Sequence, residues 1–515
     1  MQLTILSTSD THGFITPTNY VQRDLDLPFS LSKAKTVIDR LKAQAQGPVL
    51  TIENGDFVQG SPLAYYAARV KAQPALETAA YNTVGYDAGV LGNHEFNYGR
   101  DYLAQAVATL DYPILCANIL DHGEPAFGRP YQLFDKAGVK VAVLGLTTSY
   151  IPHWEGAANI HDLEFQDAVS VAKAWVPRLR ALADVVVIAY HGGFERDLET
   201  GEPTEPLTGE NVGYALTQVP GVDALVTGHQ HRELAGVVNG VATTQPGYRG
   251  ADVGVITLTL SPKAEGGFEV TDGQASLAAT AEAAANPAVL DSVAATSAAV
   301  EDWLDAPLGQ VRGDMTITDP FAARVHEHPY IELINRVQMA ATGTDIAGTA
   351  LFNNEGRGFG SQITMRDVVT NYIYPNTLAV VALSGADLKA ALEQDAEYFS
   401  LVDGRLVVTE RFASPKPQHY NYDMYHGIDY TLDITKPVGS RVTELAYHGR
   451  PVGPTQVLEV TVNQYRAAGG GDFAMLDASK VVRENQKDMT ELIADYLRDH
   501  PVIDAVADGN FRVIG

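Results

Sequence analysis

The sequence predicts a two-domain α/β protein whose first domain contains a largely parallel sheet. The chain has 515 residues, 45% of them hydrophobic, and this length exceeds what a single core usually supports. Short β-branched runs alternate with helical patterns through the first half, as in βα units that form a parallel sheet. A second α/β pattern begins near Thr318.

The elements of the first half follow from the spacing of apolar residues. Short apolar runs predict strands at residues 3–7, 49–53, 88–91, 114–117, 139–146, 185–189 and 224–226. Apolar residues at helical spacing predict helices at residues 32–44 and 168–182. After Thr243 the pattern becomes alternating, which predicts a strand at residues 252–260.

An alanine-rich segment and a second set of helices indicate how the chain divides. The segment 275–299 predicts a helix in a hinge region, because alanine has the highest helix propensity. Further helices are expected at residues 330–341, 365–371 and 385–398. We expect the boundary between Gly309 and Thr318, with residues 1–313 forming the first domain, including the hinge helix, and residues 314–515 forming the second.

The charge balance limits the classes of partner. With 36 Lys+Arg against 63 Asp+Glu the formal net charge is −27, which repels nucleic-acid polymers and anionic membranes. A small phosphate ester remains possible because bound divalent cations would reverse the local sign. No obligate protein partner is indicated. The first residues, MQLTILSTSD, lack an export signal, so we expect a cytoplasmic protein, or a secreted or cell-surface one if a leader has been removed.

Five short blocks carry side chains typical of metal ligands, and each follows a predicted strand. The blocks are SDTHG (9–13), NGDFVQG (54–60), LGNHEFNYG (91–99), YHGG (190–193) and TGHQH (227–231). Active sites of open α/β sheets lie at the carboxyl ends of strands, so these distant positions can converge. The candidate ligands are Asp10, His12, Asp56, Asn93, His191, His229 and His231. Carboxylates, imidazoles and an amide in this order predict a two-metal site for phosphoester hydrolysis.

At these blocks the sequence resembles the calcineurin-like metallophosphoesterases, and over nearly its whole length the bacterial 5′-nucleotidase family. The resemblance implies a four-layer αββα metallophosphoesterase domain followed by a 5′-nucleotidase-type α/β domain. It also implies two divalent metal ions. The first takes ligands matching Asp10, His12, Asp56 and His231, and the second takes Asp56, Asn93, His191 and His229, with Asp56 bridging. Histidine-rich shells favour Mn, Zn, Fe or Co over Mg.

Two catalytic candidates follow Asn93. His94 matches the family residue that contacts the phosphoryl group and stabilises charge in the transition state. The family's 5′-nucleotidases usually read GNHEFD, whereas this chain has Asn97 at the last position, and an amide does not hold an imidazolium as a carboxylate does. GNHEFNYG is similar to the 2′,3′-cyclic-nucleotide 2′-phosphodiesterase/3′-nucleotidase branch. IPHWE (151–155), ALFNNEGRGF (350–359), YIYPNTL (372–378), NYDMYHGIDY (421–430) and VNQYRAAGGGDF (462–473) add to this similarity.

The resemblance also assigns substrate-binding candidates, most of them in the second domain. Tyr374 and Tyr465 match two aromatic positions that clamp the base, and Asp472 matches an acidic residue that accepts hydrogen bonds from ribose hydroxyls. The resemblance places Asn118 near the metal site, where it could bind the substrate phosphate or ribose. The remaining candidates, which match the family more loosely, are Asn353, Asn354 and Arg357. Arg357 is the group among them that could hold a phosphate with two hydrogen bonds.

The expected function is hydrolysis of a small nucleotide by attack of a metal-bound hydroxide. The substrate class that the resemblance favours is 2′,3′-cyclic nucleotides, which would be opened to 3′-nucleotides and then cleaved to nucleosides. A 5′-nucleotidase or UDP-sugar hydrolase is the first alternative, and Asn97 is the feature against it. The second alternative is a non-catalytic nucleotide-binding protein. The complete set of candidate metal ligands makes this alternative less favoured.

Overall fold

The computed structural model describes residues 1–205, 207–374, 376–414, 416–485 and 487–515. The chain divides into two units, Met1–Val300 (unit 1) and Glu301–Gly515 (unit 2). This division lies earlier than the boundary between residues 313 and 314 that the sequence favours. The predicted boundary between a metallophosphoesterase domain of residues 1–313 and a second domain of residues 314–515 therefore stays a prediction.

Unit 1 contains two six-stranded sheets and the helices that cover them. Its strands are β1 Gln2–Thr8, β2 Val49–Glu53, β3 Ala88–Val90, β4 Ile114–Leu115, β5 Ile119–Asp121, β6 Glu124–Pro125, β7 Tyr131–Lys136, β8 Val139–Thr147, β9 Leu163–Phe165, β10 Val185–His191, β11 Ala224–Val226, β12 Glu233–Val238, β13 Val241–Pro246, β14 Asp252–Pro262 and β15 Phe268–Ala279. Its helices are α1 Leu31–Gln44, α2 Pro62–Tyr65, α3 Ala75–Val84, α4 Arg100–Ala108, α5 Ala168–Arg180, α6 Gly213–Thr217 and α7 Pro287–Leu304, the last of which continues into unit 2.

The two sheets pack face to face around one apolar core. Their strand orders are β15-β14-β1-β2-β3-β4 and β12-β13-β11-β10-β8-β7, and β1 to β4 run parallel, as do β8, β10, β11 and β13. Fully buried Ile5 and Leu50 of the first sheet share this core with Val141 and Val187 of the second. Helix α5 buries its apolar face on the outer side of the second sheet, and α1 contacts β14 of the first. Unit 1 is therefore the expected four-layer αββα domain.

The predicted elements of unit 1 agree with the structure except in the alanine-rich segment. Residues 275–279 belong to strand β15, and helix α7 begins only at Pro287, so the helix predicted over residues 275–299 is wrong in its first part. The backbone of residues 275–279 pairs with β14, which outweighs the few tenths of a kcal/mol that alanine contributes to a helix. Asn286 caps α7 by accepting a hydrogen bond from the backbone N–H of Ala288 at 3.0 Å.

Unit 2 contains a five-stranded sheet, in the order β24-β18-β28-β21-β29, together with smaller sheets. Its strands are β16 Pro307–Arg312, β17 Met315–Thr316, β18 Ala347–Ala350, β19 Gly358–Phe359, β20 Gln362–Thr364, β21 Leu378–Ser384, β22 Phe399–Val402, β23 Arg405–Val408, β24 Asp423–His426, β25 Asp429–Asp433, β26 Val442–Tyr447, β27 Arg450–Pro451, β28 Val457–Asn463, β29 Val481–Asn485, β30 Val502–Asp504 and β31 Phe511–Ile514. Its helices are α8 Pro320–Val325, α9 Pro329–Thr342, α10 Met365–Asn371, α11 Gly385–Ala396, α12 Glu410–Ala413, α13 Gln464–Ala467 and α14 Met489–Asp499.

The three helices predicted for unit 2 are present as α9, α10 and α11. Capping boxes fix where two of them begin: the Thr364 hydroxyl and the Asp367 carboxylate exchange backbone hydrogen bonds at α10, and Ser384 and Asp387 do so at α11. Among the helices of the described residues, none has both the length and the apolar character that crossing a bilayer would require.

Candidate metal centre

The strand ends of unit 1 bring the five sequence blocks to one place. The parallel strands β1, β2 and β3 lie side by side in the first sheet, and β10 and β11 lie side by side in the second. Each candidate ligand lies at or shortly after the carboxyl end of one of these strands. Asp10 and His12 follow β1, Asp56 follows β2, Asn93 follows β3, His191 ends β10, and His229 and His231 follow β11.

A first group of side chains is formed by Asp10, His12 and His231. The Nε2 atoms of His12 and His231 are 3.0 Å apart, and His231 Nε2 is 3.5 Å from Asp10 Oδ1. Two ligand atoms about 2.1 Å from one cation and at right angles to each other lie about 3.0 Å apart. The spacing of the two imidazoles thus fits a cation between them.

A second group is formed by Asp56, His191 and His229, with Asn93 beside them. Asp56 Oδ2 is 3.2 Å from His191 Nε2 and 3.9 Å from His12 Nε2, so this carboxylate faces both groups. Asn93 Oδ1 is 2.8 Å from His229 Nδ1 and 3.3 Å from His191 Nε2. The predicted arrangement, with Asp56 between two ligand sets, is compatible with these distances.

Hydrogen bonds on the outer side of three imidazoles fix which ring nitrogen faces the site. The Nδ1 atoms of His12 and His191 donate to the backbone oxygens of Gln59 at 2.8 Å and Asn54 at 2.6 Å. His229 uses the opposite nitrogen, since its Nε2 is 2.9 Å from Glu210 Oε1. A ligating histidine usually donates its second N–H in this way, which orients the ring and leaves the other lone pair for the metal.

The backbone at the site is strained. Five of the seven candidate ligands have a positive φ: Asp10 at 53°, His12 at 50°, Asp56 at 59°, His229 at 70° and His231 at 58°. Each such residue costs about 1–2 kcal/mol relative to an ordinary conformation, and strain of this kind concentrates at functional sites. The sequence does not predict these positive φ values, because none of the five residues is glycine.

The electrostatics of the two carboxylates depend on positive charge nearby. Burial opposes ionisation of Asp56, but the charges of His191, His94 and His12 hold its pKa well below the usual range. Burial raises the pKa of Asp10, and the charge of Asp56 raises it further. Burial alone would lower the pKa of His191, yet Asp56 and Asp10 raise it to about 10. Divalent cations would supply the positive charge that these imidazoles otherwise provide, releasing their protons.

One buried carboxylate that the sequence reasoning missed holds the Asp56 loop. Glu95 accepts backbone hydrogen bonds from Asp56 at 2.8 Å and Phe57 at 2.7 Å, and from Gly92. Only glycine fits at position 92, because a Cβ there would collide with Asp56 Oδ1. The block GNHE therefore contributes Glu95 as a support of Asp56, in addition to Asn93 and His94.

The two catalytic candidates lie at the edge of the first group. The His94 ring contacts the His12 ring edge-on, with 5.2 Å between centroids. His94 Nδ1 donates to Asn97 Oδ1 at 2.7 Å, and Asn97 Nδ2 donates in turn to Glu155 Oε2 at 2.7 Å. The structure thus brings His94 and Asn97 together. Glu155 was not expected, although it ends the IPHWE stretch.

Aromatic rings cover two of the imidazoles. Trp154 stacks on His229, with 5.2 Å between the centroids and 29° between the planes. Tyr248 stacks on His231 at 4.8 Å and 3°. These rings limit solvent access to the imidazoles, and the sequence alone does not identify them because each is remote from its partner along the chain.

Asn118 is fully buried, and its amide joins segments of unit 1. The two hydrogens of Nδ2 go to Thr147 O at 2.7 Å and Gln166 O at 3.0 Å, and Oδ1 accepts from Thr147 N at 2.9 Å. The side chain has a clear role in fixing the end of β8, and its contact with substrate stays a prediction.

The two predicted base-clamping tyrosines of unit 2 both contact a third tyrosine. Tyr420 meets the Tyr374 ring at 6.5 Å and 81°, and the Tyr465 ring at 6.2 Å and 78°, edge-on in both cases. Phe352 supports Tyr374 from another side at 5.3 Å. All three tyrosines are partly exposed. We call Tyr374, Tyr420 and Tyr465 the tyrosine cluster; Pro375 lies outside the described residues.

The remaining candidates of unit 2 differ in how far they are engaged. Asn353 Oδ1 accepts from the backbone N–H groups of Glu355 at 2.9 Å and Gly356 at 3.0 Å, so it shapes its own loop. Asn354 Oδ1 accepts from the buried Arg324 at 2.8 Å. Arg357 and Asp472 have exposed side chains, and Asp472 lies in the glycine-rich loop that follows Tyr465. The substrate-binding roles of these four residues stay predictions.

Comparison with known proteins places both halves of the chain in described families. Residues 3–233 match the calcineurin-like phosphoesterases, and residues 307–478 match the 5′-nucleotidase C-terminal domain. With the two buried ligand groups, this fold indicates a protein that binds divalent metals.

Individual relatives cover the whole chain. A crystal structure of a protein provisionally named a 5′-nucleotidase from Staphylococcus aureus, in complex with α-ketoglutarate, is 37% identical, with a TM-score of 0.92 and 100% of both chains covered. The 2′,3′-cyclic-nucleotide 2′-phosphodiesterase/3′-nucleotidase of Yersinia enterocolitica is 29% identical over 100% of this chain and 88% of its own length. The trifunctional nucleotide phosphoesterase YfkN of Bacillus subtilis is also 29% identical, but the chain spans only 39% of it. The chain belongs to the nucleotide phosphoesterases that join a calcineurin-like phosphoesterase domain to a 5′-nucleotidase C-terminal domain.

Proposed function

We propose that the protein hydrolyses 2′,3′-cyclic nucleotides to 3′-nucleotides and then to nucleosides, with two divalent metal ions bound by the seven candidate ligands. The observation that carries the proposal is the pair of ligand groups that both face Asp56 Oδ2. Two cations in such a site supply a nucleophile at neutral pH and neutralise the charge of the phosphoryl group. The preference for cyclic substrates is supported by Asn97 and by the name and identity of the Yersinia relative.

The residues around the cations have separate roles in this proposal. Asp56, Asp10 and the four imidazoles hold the cations, and Asn93 Oδ1 adds a neutral oxygen donor. His94 presents Nε2 to the phosphoryl group and stabilises the charge that develops there, since its Nδ1 is engaged with Asn97. Trp154 and Tyr248 cover one face of the imidazoles on which they stack.

A 5′-nucleotidase activity is the second candidate, because the Staphylococcus aureus relative with 37% identity carries that name. A panel of substrates separates the two. The protein is stripped with a chelator, reloaded with manganese, zinc, iron or cobalt, and assayed with 2′,3′-cyclic AMP, 3′-AMP and 5′-AMP. We expect metal-dependent turnover that is fastest with the cyclic substrate. Fast turnover of 5′-AMP without turnover of 2′,3′-cyclic AMP would overturn the assignment. A metal-loaded protein inactive with all three would instead support a binding role.

We further propose that the tyrosine cluster binds the nucleobase. Stacking on an aromatic ring contributes about 1–3 kcal/mol per base, so replacing Tyr465 by leucine is expected to weaken adenosine binding about tenfold or more. Isothermal titration of adenosine into the full chain measures this effect. Tyr447→Leu is the matched control, because Tyr447 lies on β26 and bonds to Asp345 instead of the cluster. Equal adenosine affinity in the two variants would contradict a role of the cluster in base binding.

A further inference from the structure

A chain of hydrogen bonds connects the catalytic candidate His94 to a buried carboxylate in a distant part of unit 1. His94 Nδ1 donates to Asn97 Oδ1 at 2.7 Å, and Asn97 Nδ2 donates to Glu155 Oε2 at 2.7 Å. Glu155 is buried and 58 residues away from Asn97 in the chain. An amide has a donor on one side and an acceptor on the other, so its orientation decides what His94 meets.

The surroundings of Glu155 determine that orientation. Its Oε1 accepts hydrogen bonds from Gly156 N at 2.9 Å and Asn159 Nδ2 at 2.8 Å, while its Oε2 accepts from Asn97. Three donors point at this side chain, so both of its oxygens act as acceptors. Glu155 therefore holds the Asn97 amide with its nitrogen toward the carboxylate and its oxygen toward His94.

From this geometry we propose that Glu155 is a positioning residue, which acts on His94 through Asn97. The Asn97 oxygen requires a hydrogen on His94 Nδ1, so Nε2 is the ring nitrogen directed to the substrate. The inference rests on the role of His94 in the proposed function.

The segment that carries Glu155 is well placed for this task. Residues Ile151–His153 form one turn of 3₁₀ helix, in which the Ile151 side chain is fully buried. The following residue, Trp154, stacks on His229, and Glu155 reaches Asn97. One short segment thus contacts both His229 of the second ligand group and Asn97 beside His94. These two contacts fix the Glu155 carboxylate relative to both residues.

The substitution Glu155→Gln tests the proposal because it removes the charge and keeps the size. Gly156 N and Asn159 Nδ2 still donate to the glutamine oxygen, so the new amide nitrogen faces Asn97. The Asn97 amide must then turn its oxygen toward this nitrogen and away from His94. His94 Nδ1 then faces the Asn97 amide nitrogen and must accept, so the ring hydrogen lies on Nε2 instead. We expect kcat for the preferred nucleotide to fall about tenfold or more, with KM and the melting temperature little changed. Glu164→Gln, an exposed carboxylate on β9, is the matched control.

A reciprocal substitution separates positioning from a merely structural role. Asn97→Asp alone places two carboxylates 2.7 Å apart and is expected to reduce kcat as well. In the double variant Asn97→Asp/Glu155→Gln, the new aspartate accepts from both His94 Nδ1 and the glutamine amide. We expect kcat of the double variant to exceed that of either single variant. Unchanged kcat in Glu155→Gln, or a double variant no better than the worse single variant, would overturn the proposal.

A spectroscopic readout keeps this test independent of the substrate assignment. Nitrogen-15 NMR of labelled histidines in metal-free protein reports which ring nitrogen carries the hydrogen, and a His94→Gln sample identifies the His94 signals. We expect Nδ1 to be protonated in the wild type and Nε2 in Glu155→Gln. The same His94 tautomer in both proteins would contradict the proposal. Failure of the wild type to hydrolyse nucleotides would refute only the proposed function.

Discussion

The substitution Asp56→Asn is expected to lower kcat for nucleotide hydrolysis about a thousandfold or more and to reduce the metal content of the protein. Asp56 Oδ2 faces His191 Nε2 at 3.2 Å and His12 Nε2 at 3.9 Å, so it is the group common to both ligand sets. Its other oxygen accepts from His94 N at 2.8 Å. A metal pair stabilises the transition state by several kcal/mol, and each 1.36 kcal/mol lost costs about a factor of ten in rate.

This substitution tests charge without disturbing the backbone. Asparagine tolerates the left-handed conformation that Asp56 adopts at φ 59°, and it has nearly the same size. Asp162→Asn is the matched control, since Asp162 also has a positive φ of 63° but an exposed side chain. Steady-state kinetics and elemental analysis of the purified variants give both readouts. Full activity with two metals per chain in Asp56→Asn would refute the bridging role.

The position of the candidate site could be predicted from the sequence because it depends on local patterns. Apolar runs predicted the strands β1, β2, β3, β10 and β11 to within two residues at each end. Parallel strands place their carboxyl ends at one edge of a sheet, so the blocks that follow the strands of the same sheet converge. The composition of the blocks, with carboxylates, imidazoles and one amide, then indicated the chemistry.

The supports of the site could not be predicted, because they come from tertiary contacts. Glu155 and Trp154 reach Asn97 and His229 from a remote segment, and no local pattern marks them. The IPHWE stretch is similar to one branch of the family, but its contacts with Asn97 and His229 are visible only in the structure. The helix prediction for residues 275–279 of the alanine-rich segment was wrong for a related reason. Its propensity is local, whereas the pairing of residues 275–279 with β14 is not.

In unit 2 the largest effect on stability is expected from Arg466→Met. The Arg466 side chain is 1% exposed and that of its partner Asp423 is 2% exposed, with Nε donating to Asp423 Oδ2 at 2.6 Å. Asp395 lies beside this pair, and burial together with the charge of Asp423 raises its pKa well above the usual range. Removing one partner of a buried pair costs about 3–5 kcal/mol, because the remaining charge is left uncompensated.

The guanidinium also connects the segments that carry two members of the tyrosine cluster, Tyr420 and Tyr465. Its nitrogens donate to Tyr420 O at 3.1 Å and to Gly470 O, and its plane lies over the Phe473 ring at 3.8 Å. Loss of these bonds leaves two carbonyl groups without their donors. We therefore expect Arg466→Met to weaken adenosine binding as well. Arg466→Lys keeps the charge but loses the fork geometry, so its adenosine affinity should lie between those of the wild type and Arg466→Met.

Urea unfolding of the full chain measures the change in the free energy of unfolding. Arg483→Met is the control, because the exposed pair of Arg483 with Glu459 should contribute less than about 1 kcal/mol. Asp423→Asn added to Arg466→Met should recover part of the loss, since it removes the unpaired charge that the single variant leaves. A cost for Arg466→Met no larger than that for Arg483→Met would show that this buried charge does not hold the segments of Tyr420 and Tyr465 together.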